Sequence, residues 1–280
     1  GNTIKHQINP IMMSSNHTAA TNSAKKISSE ISLLEFELIF VANLSAMSLT
    51  TFTLIQDENK SMASVYCSGY MKNEVFNTEN LSEEIAIENS RMKLNFDKTT
   101  GLLKSLKKAQ ETVDLEITFG AYKSKGRASG AYLFKPDTKK PEITDLLKNL
   151  TDYSIVMVRG SITLEVMVIH NDFILHKIRI FNTNTYLDDA ILMTNEVDLN
   201  SIAKNQDLEF YLRLKTSIKN GEEFFSDQNG FQWMPRRRSK SLEVEGNYFP
   251  ITTSAFMQDD KTRITLVTTH AQGATSMREG

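Results

Sequence analysis

The sequence holds one cysteine, one tryptophan and five histidines in 280 residues. A single thiol excludes any internal disulfide framework. Cys67 lies in Ser64-Val65-Tyr66-Cys67, a strand-like setting where a small apolar packing residue is the ordinary role and a nucleophile is not. His6, His17, His170, His176 and His270 are scattered, and only His170-Asn171-Asp172 has a spacing that could bring two metal ligands together. No third ligand accompanies it, so a turn between two strands is the plainer reading. Charge of one sign is also missing: 32 Lys and Arg stand against 34 Asp and Glu, net −2, which removes any general attraction to nucleic acid or an acidic membrane. No apolar run reaches a membrane span. Leu33–Leu49 comes nearest, and Glu35, Glu37 and Asn43 interrupt it. Serine-nucleophile signatures, phosphate-cradling glycine loops and fixed-period repeats are absent. Helical periodicity is confined to short possibilities at Thr144–Asn149 and Asn200–Lys204. The chain opens at Gly1 with neither an initiator Met nor a charged-then-apolar leader, and reads as a piece of a longer protein.

What is present is alternation. With 40% hydrophobic residues the chain can bury one large core or two smaller ones. Leu34–Phe40 and Met47–Ile55 each read as a half-buried strand, and the polar stretch Gln56–Ser61 sets them apart from the strands further along the chain. From Leu81 onward strands are expected at Glu84–Glu88, Arg91–Asp97, Leu102–Leu106, Val113–Phe119, Ser154–Val158, Ile162–Val168, Phe173–Phe181 and Ile191–Leu199. Leu208, Phe210, Leu212 and Leu214 make the cleanest period-2 stripe. The fold class is therefore all-β, many antiparallel strands on short turns, which implies a sandwich.

Phe224–Arg238 is the most legible stretch. Asn229-Gly230 predicts a two-residue hairpin, because both turn positions need positive φ. Phe231 and Trp233 share a face and read as packing residues. Arg236-Arg237-Arg238 is too isolated for a nucleic-acid surface and reads as structural, pairing with carboxylates or loop carbonyls. Asp188-Asp189, Glu222-Glu223 and Asp259-Asp260 are adjacent acids, yet a glycosidase needs two carboxyls about 5–9 Å apart across a sugar. Solvated turns are the default for them. Tyr132 differs in kind: it follows the loop Lys123–Gly130 and precedes a strand ending at Pro136, so its hydroxyl could meet a ligand at a sheet end. On residues alone, packing is the default for Tyr132 too. Five sequons, at Asn16, Asn43, Asn59, Asn80 and Asn149, hint at a secretory-pathway lumen.

Several segments, taken together and in order, resemble a known family. They are Thr100-Gly101-Leu102-Leu103-Lys104-Ser105, Ser129-Gly130-Ala131-Tyr132-Leu133-Phe134-Lys135-Pro136, Phe224–Gln232, Pro235-Arg236-Arg237-Arg238, Gly246-Asn247-Tyr248-Phe249-Pro250 and Arg263-Ile264-Thr265-Leu266. The likeness is to the C-terminal half of the class II α-mannosidases, glycoside hydrolase family 38, of the Golgi-enzyme type. It implies a large antiparallel sandwich of the galactose-mutarotase-like supersandwich kind, preceded by the last strands of a small β-sandwich. The implied boundaries are 1–60 for the end of the small sandwich, 61–82 for a linker and first strand, and 83–280 for the large sandwich, cut short at its C-terminal end. It also implies a retaining, zinc-dependent α-mannosidase acting on N-glycans in the secretory-pathway lumen, in the Golgi or alternatively the lysosome. Its zinc ligands and catalytic carboxylates fall outside this chain, in upstream catalytic and helical domains of the same polypeptide. This chain then carries no catalytic or metal residue, is inactive alone, and contributes one substrate-binding residue, Tyr132, which reverses the packing default. The departures are Gln228 for a usual Leu, Leu242-Glu243-Val244-Glu245 for Leu-Pro-Leu-Gln, and Phe181 where some Golgi enzymes have an arginine for a distal sugar. The reading from a different class is a free-standing carbohydrate-binding or interaction module.

Overall fold

The computed structural model describes residues 4–14, 27–55, 62–69, 75–124, 133–137, 146–147, 153–170, 174–198 and 208–277. In chain order the strands are β1 His6–Ser14, β2 Ile27–Phe40, β3 Ser64–Cys67, β4 Thr78–Asn80, β5 Ile85–Glu88, β6 Met92–Phe96 and β7 Leu103–Lys108. Then come β8 Glu111–Lys123, β9 Tyr153–Arg159, β10 Thr163–His170, β11 Ile174–Phe181, β12 Ile191–Val197 and β13 Leu208–Thr216. The last are β14 Glu223–Gln228, β15 Gln232–Arg237, β16 Phe249–Ile251, β17 Ser254–Gln258, β18 Arg263–Val267 and β19 Gln272–Ala274. Among the described residues the only helical pieces are single 3-10 turns at Tyr186–Asp189 and Glu245–Asn247. The chain is all-β, and its sheets are antiparallel except where β3 runs parallel to β4.

The chain divides into two compact units. The first comprises Gly1–Thr112 and Asn149–Lys204. Its largest sheet has the order β12-β11-β10-β9-β3-β4, and a β5-β6-β7 meander forms a second layer. Strand β10 is buried on both faces, with Val166 and Val168 on one side and Glu165, Met167 and Ile169 on the other. The strand expected at Ile162–Val168 is present, and as a central strand it is covered on both sides. The hairpin expected around His170-Asn171-Asp172 joins β10 to β11, with His170 opposite Ile174; Asn171 and Asp172 themselves lie outside the described residues.

The β6–β7 turn is where the two layers touch. Asp97 accepts hydrogen bonds from the Thr99 and Thr100 amides at 2.9 and 2.8 Å, and Gly101 closes the turn at φ 70°. A Cβ at 101 would lie 2.7 Å from Val168 Cγ2 and 2.9 Å from Ile155 Cγ1, so the glycine is required by conformation and by space. On the other side of the large sheet, Cys67 is 3% exposed in a cluster with Val65, Phe76, Val156, Val158, Met167 and Ile169, on which Ile8, Met12 and Met62 also pack. Burial pushes its thiol up to about 11.

The second unit comprises Val113–Lys148 and Asn205–Gly280. Here β8 pairs with β13, a sheet runs in the order β15-β14-β17-β18, and β16 pairs with β19. The β13 stripe at Leu208, Phe210, Leu212 and Leu214 is half-buried throughout. Phe224, Ile251 and Ala255 form a small core, flanked by Phe249, Met257 and Ala274.

Several expectations fail. Met47–Ile55 forms no strand: it has no partner among the described residues, and alternation without a partner does not make one. Phe231 is no packing residue, being 92% exposed. The pairing of Gln228 with Gln232 leaves three residues in the β14–β15 loop, one more than predicted; Asn229 and Gly230 do take φ 51° and 74°, and Phe231 is the extra residue at the tip. Asp188 is not a solvated turn residue either. It is 1% exposed and accepts from the Thr183 amide and hydroxyl and the Asn184 amide at 2.7–2.9 Å. Thr144–Asn149 is described only at 146–147, which bend, and Asn200–Lys204 lies outside the described residues.

Candidate functional site

Tyr132, with the loop 125–131 before it, lies outside the described residues. Its frame is described. Strand β8 ends at Lys123, and Ser124 bridges antiparallel to Pro136. The Asp137 amide donates to the Lys123 carbonyl at 2.7 Å. Lys123 and Ser124 are thus tied to Pro136 and Asp137 across the segment that contains Tyr132.

Two positions after Tyr132, Phe134 enters an aromatic cluster. Its ring stands edge-on to Tyr248 at 4.7 Å and to Tyr122 at 5.8 Å. Tyr122 meets Tyr211 at 5.0 Å and Tyr248 at 6.3 Å. Edge-to-face pairs of this kind each contribute about 0.5–1.5 kcal/mol beyond burial. Tyr211 lies across β8 on Gly120, its cross-strand partner. A Cβ at 120 would fall 2.2 Å from the Tyr211 ring, so only glycine admits the ring there.

The Gly246-Asn247-Tyr248-Phe249-Pro250 segment reaches the same cluster because Asn247 fixes its loop. The Asn247 amide nitrogen donates to the carbonyls of Ser239, Leu242 and Glu243 at 3.0–3.1 Å, and its oxygen accepts from the Ser239 amide at 2.6 Å. With both ends of its side-chain amide engaged and 1% exposure, Asn247 is a structural knot. Two motifs more than a hundred positions apart therefore meet through Phe134 and Tyr248. Tyr122 and Tyr211 belong to neither motif and were missed by sequence reasoning: Tyr122 falls past the expected strand Val113–Phe119, and Tyr211 falls between the stripe positions Phe210 and Leu212.

The acids serve the backbone. Asp227 Oδ1 accepts from the Thr252, Thr253 and Ser254 amides at 2.9–3.1 Å, and Oδ2 from the Gly230 amide at 3.0 Å. Led by the bond from Thr253, these hold its carboxyl down to about 2, so it is an anion at neutral pH and cannot donate a proton. Asp259 takes the Lys261, Thr262 and Lys219 amides. Asp189 pairs with Lys108 at 2.7 Å and Glu223 with Arg237 at 2.8 Å. The arginine run is structural, as expected: Arg236 donates to Ser226 Oγ at 3.0 Å and lies over the Phe249 ring, and Arg238 reaches the Ser276 carbonyl.

The first unit holds a buried polar cluster for which the sequence carries no signal. Arg179 pairs with Glu165 at 2.7 Å and with both carboxylate oxygens of Glu37. Gln7 donates to Thr163 and Asn9 and accepts from the Ile162 and Thr163 amides. Asn9 donates to Glu165 at 2.7 Å. Burial pushes the Glu165 carboxyl up and Arg179 pulls it back. Two carboxylates sharing one guanidinium are satisfied acceptors, and the cluster joins β1 and β2 to β10 and β11.

Among the described residues no three His, Cys, Asp or Glu side chains come together as metal ligands. A cleft of about 410 Å³ in the first unit is lined by Ser82, Glu84, Ala86, Glu88, Lys93, Arg159 and Leu164, and its charges compensate one another, with Lys93 on Glu84 at 2.7 Å.

The described residues form mainly antiparallel sheets and bring together no cluster of three metal-ligating side chains, and comparison with known proteins gives the family. Residues 87–280 match the model of the glycosyl hydrolases family 38 C-terminal domain, and the chain belongs to that family. Over 88% of its length the chain is 37% identical to an alpha-mannosidase 2 of Spodoptera frugiperda, covering 23% of that protein. It is 26% identical to an alpha-mannosidase 2 of Drosophila melanogaster over its whole length, covering 25% of that protein. To a lysosomal alpha-mannosidase of Homo sapiens it is 25% identical over 87% of its length, covering 24% of that protein. The chain therefore spans about a quarter of the length of the curated relatives it matches.

Proposed function

We propose that this chain is the β-sandwich part of a retaining, zinc-dependent α-mannosidase that hydrolyses α-linked mannose from N-glycans. The observation that carries the reading is the family match over 87–280, joined to relatives named as alpha-mannosidases along nearly the whole chain. In this reading residues 1–60 end a small sandwich, 61–82 link, and 83–280 belong to the large sandwich. The protein works in the secretory-pathway lumen, where the Golgi is the compartment we favour over the lysosome. Relatives bearing both the alpha-mannosidase 2 and the lysosomal names match the chain.

The chain's own contribution is positional. Tyr132 supplies one wall of the mannose subsite, its hydroxyl bonding a sugar hydroxyl and its ring excluding water. The tied loop ends and the Tyr122–Phe134–Tyr211–Tyr248 cluster hold that wall, because a hydrogen bond to a sugar is worth most when the donor is already in place. Zinc would supply orientation and polarisation of the sugar hydroxyls in the whole enzyme. The described residues offer no site for it, so its ligands and the catalytic carboxylates belong, in this reading, to upstream domains of the same polypeptide.

The test is Tyr132→Phe in the full-length protein. Loss of one hydrogen bond of about 0.5–1.5 kcal/mol lowers kcat/KM for an α-mannoside roughly 2- to 13-fold, with the folded state unchanged. Unchanged kcat and KM would remove Tyr132 from the subsite. If the 280-residue chain alone binds mannosides as tightly as the whole protein does, it is a free-standing binding module instead.

A further inference from the structure

Two of the five sequons stand among the described residues, Asn43-Leu44-Ser45 and Asn80-Leu81-Ser82. A sequon is necessary for N-glycosylation and not sufficient. Its middle residue must not be proline, and the folded surface must have room for a bulky, hydrated sugar. Both sequons meet the first condition, and they differ in the second. Asn43 is followed by the exposed apolar side chains of Leu44 and Met47, beside which a glycan finds no polar partner. Asn80 lies in polar company. From Glu79 to Glu84 every side chain is exposed except that of Leu81, which is half-buried.

The place of Asn80 in the fold accounts for its exposure. It is the last residue of β4, which ends the order of the six-stranded sheet; no strand pairs with its outer side among the described residues. Its register partner on β3 is Cys67. Paired residues share a face, yet Cys67 is 3% exposed within its apolar cluster and Asn80, one strand further out, is open to solvent. The Asn77 carbonyl accepts from the Val65 amide at 3.3 Å, and the Leu81 amide donates to the Cys67 carbonyl at 2.9 Å. The odd-numbered residues of this stretch therefore bond β3, and Thr78 and Asn80 turn their backbone N–H and C=O outward. Such an edge is a template for pairing with another chain, and proteins blunt it with charge, proline or cover. Glu79 gives β4 a charge. A glycan on Asn80 would give it cover.

We propose that Asn80 carries an N-linked glycan, transferred in the secretory-pathway lumen from a lipid-pyrophosphate-linked oligosaccharide. Asn80 Nδ2 bonds the anomeric carbon of the first sugar as that carbon's bond to the pyrophosphate oxygen breaks. The amide gives up one proton and the lipid pyrophosphate leaves. Only an exposed side-chain amide is changed, so the pairing of β4 with β3 is kept. The proposal rests on the reading of the protein as one of the secretory-pathway lumen. It goes beyond the mannosidase reading, which requires no glycan on this chain.

The full-length polypeptide, with its own N-terminus, is expressed in a eukaryotic host. Peptides spanning the five sequons are mapped by mass spectrometry before and after treatment with a peptide-N-glycosidase in heavy-oxygen water, which leaves a labelled aspartate wherever a glycan stood. Label is expected at position 80 in most molecules. Mapping is done on the unsubstituted protein, so no variant has to fold for the site to be read. Asn80→Gln and Ser82→Ala should each remove the mass of one glycan from the whole protein, while Ser82→Thr should keep it, because the acceptor motif takes either hydroxyl. An unlabelled Asn80 in a protein labelled at another sequon overturns the proposal and leaves the lumen reading standing. No label at any of the five overturns both. Label at position 80 in a protein that hydrolyses no mannoside upholds the glycan and sinks the enzymatic reading alone.

Discussion

His176 shows how much one residue's meaning depends on what surrounds it. In sequence it is one position in an alternating strand, for packing or for surface. In the structure it is 1% exposed on β11, with Nδ1 2.7 Å from Asn195 Oδ1 on the neighbouring strand. Burial pushes its pKa down from 6.5 to about 4 against the opposing pull of Asn195. Between those values the unfolded chain binds a proton that the folded chain does not. This contribution to stability is therefore complete above pH 6.5, falls as pH falls, and is gone below pH 4. The whole loss is about 3 kcal/mol. Urea unfolding at pH 7 and pH 4.5 measures it, and His176→Gln should show a correspondingly smaller drop. An equal drop in the variant would assign the acid sensitivity to other groups. Glu165 and Arg179 make the complementary point: Thr-Leu-Glu-Val-Met-Val reads as a strand with its Glu turned to water, and only the arrival of β1 and β2 buries it. No spacing rule carries that information, because the partners on β1 and β2 are more than a hundred residues away.

Strands were legible where alternation met a turn signal. The Asn229-Gly230 turn, the Thr100-Gly101 turn and the β10–β11 hairpin all stand where local signals put them, since positive-φ positions and period-2 faces are local properties. Met47–Ile55 has the same alternation and forms no strand, because it has no pairing partner among the described residues. The frame of Tyr132 was half legible. The two motifs containing Phe134 and Tyr248 stand out in sequence, but their meeting, and the recruitment of Tyr122 and Tyr211, depends on the β8–β13 register. That register can be tested at Gly120. A methyl group there must displace the Tyr211 ring, at a cost of about 1–3 kcal/mol. Gly120→Ala should lower Tm, while Gly120→Ala with Tyr211→Ala should cost less than the sum of the single changes. Additive losses would mean that the ring does not lie on the glycine.

At the scale of the whole molecule, the chain belongs to the glycosyl hydrolases family 38 C-terminal domain family, and its described residues bring together no cluster of three metal-ligating side chains. Asp227 and Asp259 hold backbone amides, Arg179 and Arg237 hold carboxylates, and Tyr122, Tyr211 and Tyr248 pack in one aromatic cluster. On the reading proposed above, the chemistry comes from parts of the polypeptide outside this chain. The central claim is tested most directly by assaying hydrolysis of an aryl α-mannoside by the full-length polypeptide and by the 280-residue chain at equal concentration. The account predicts turnover by the first and none by the second. Turnover by the isolated chain, or none by the full-length protein supplied with zinc, would contradict it.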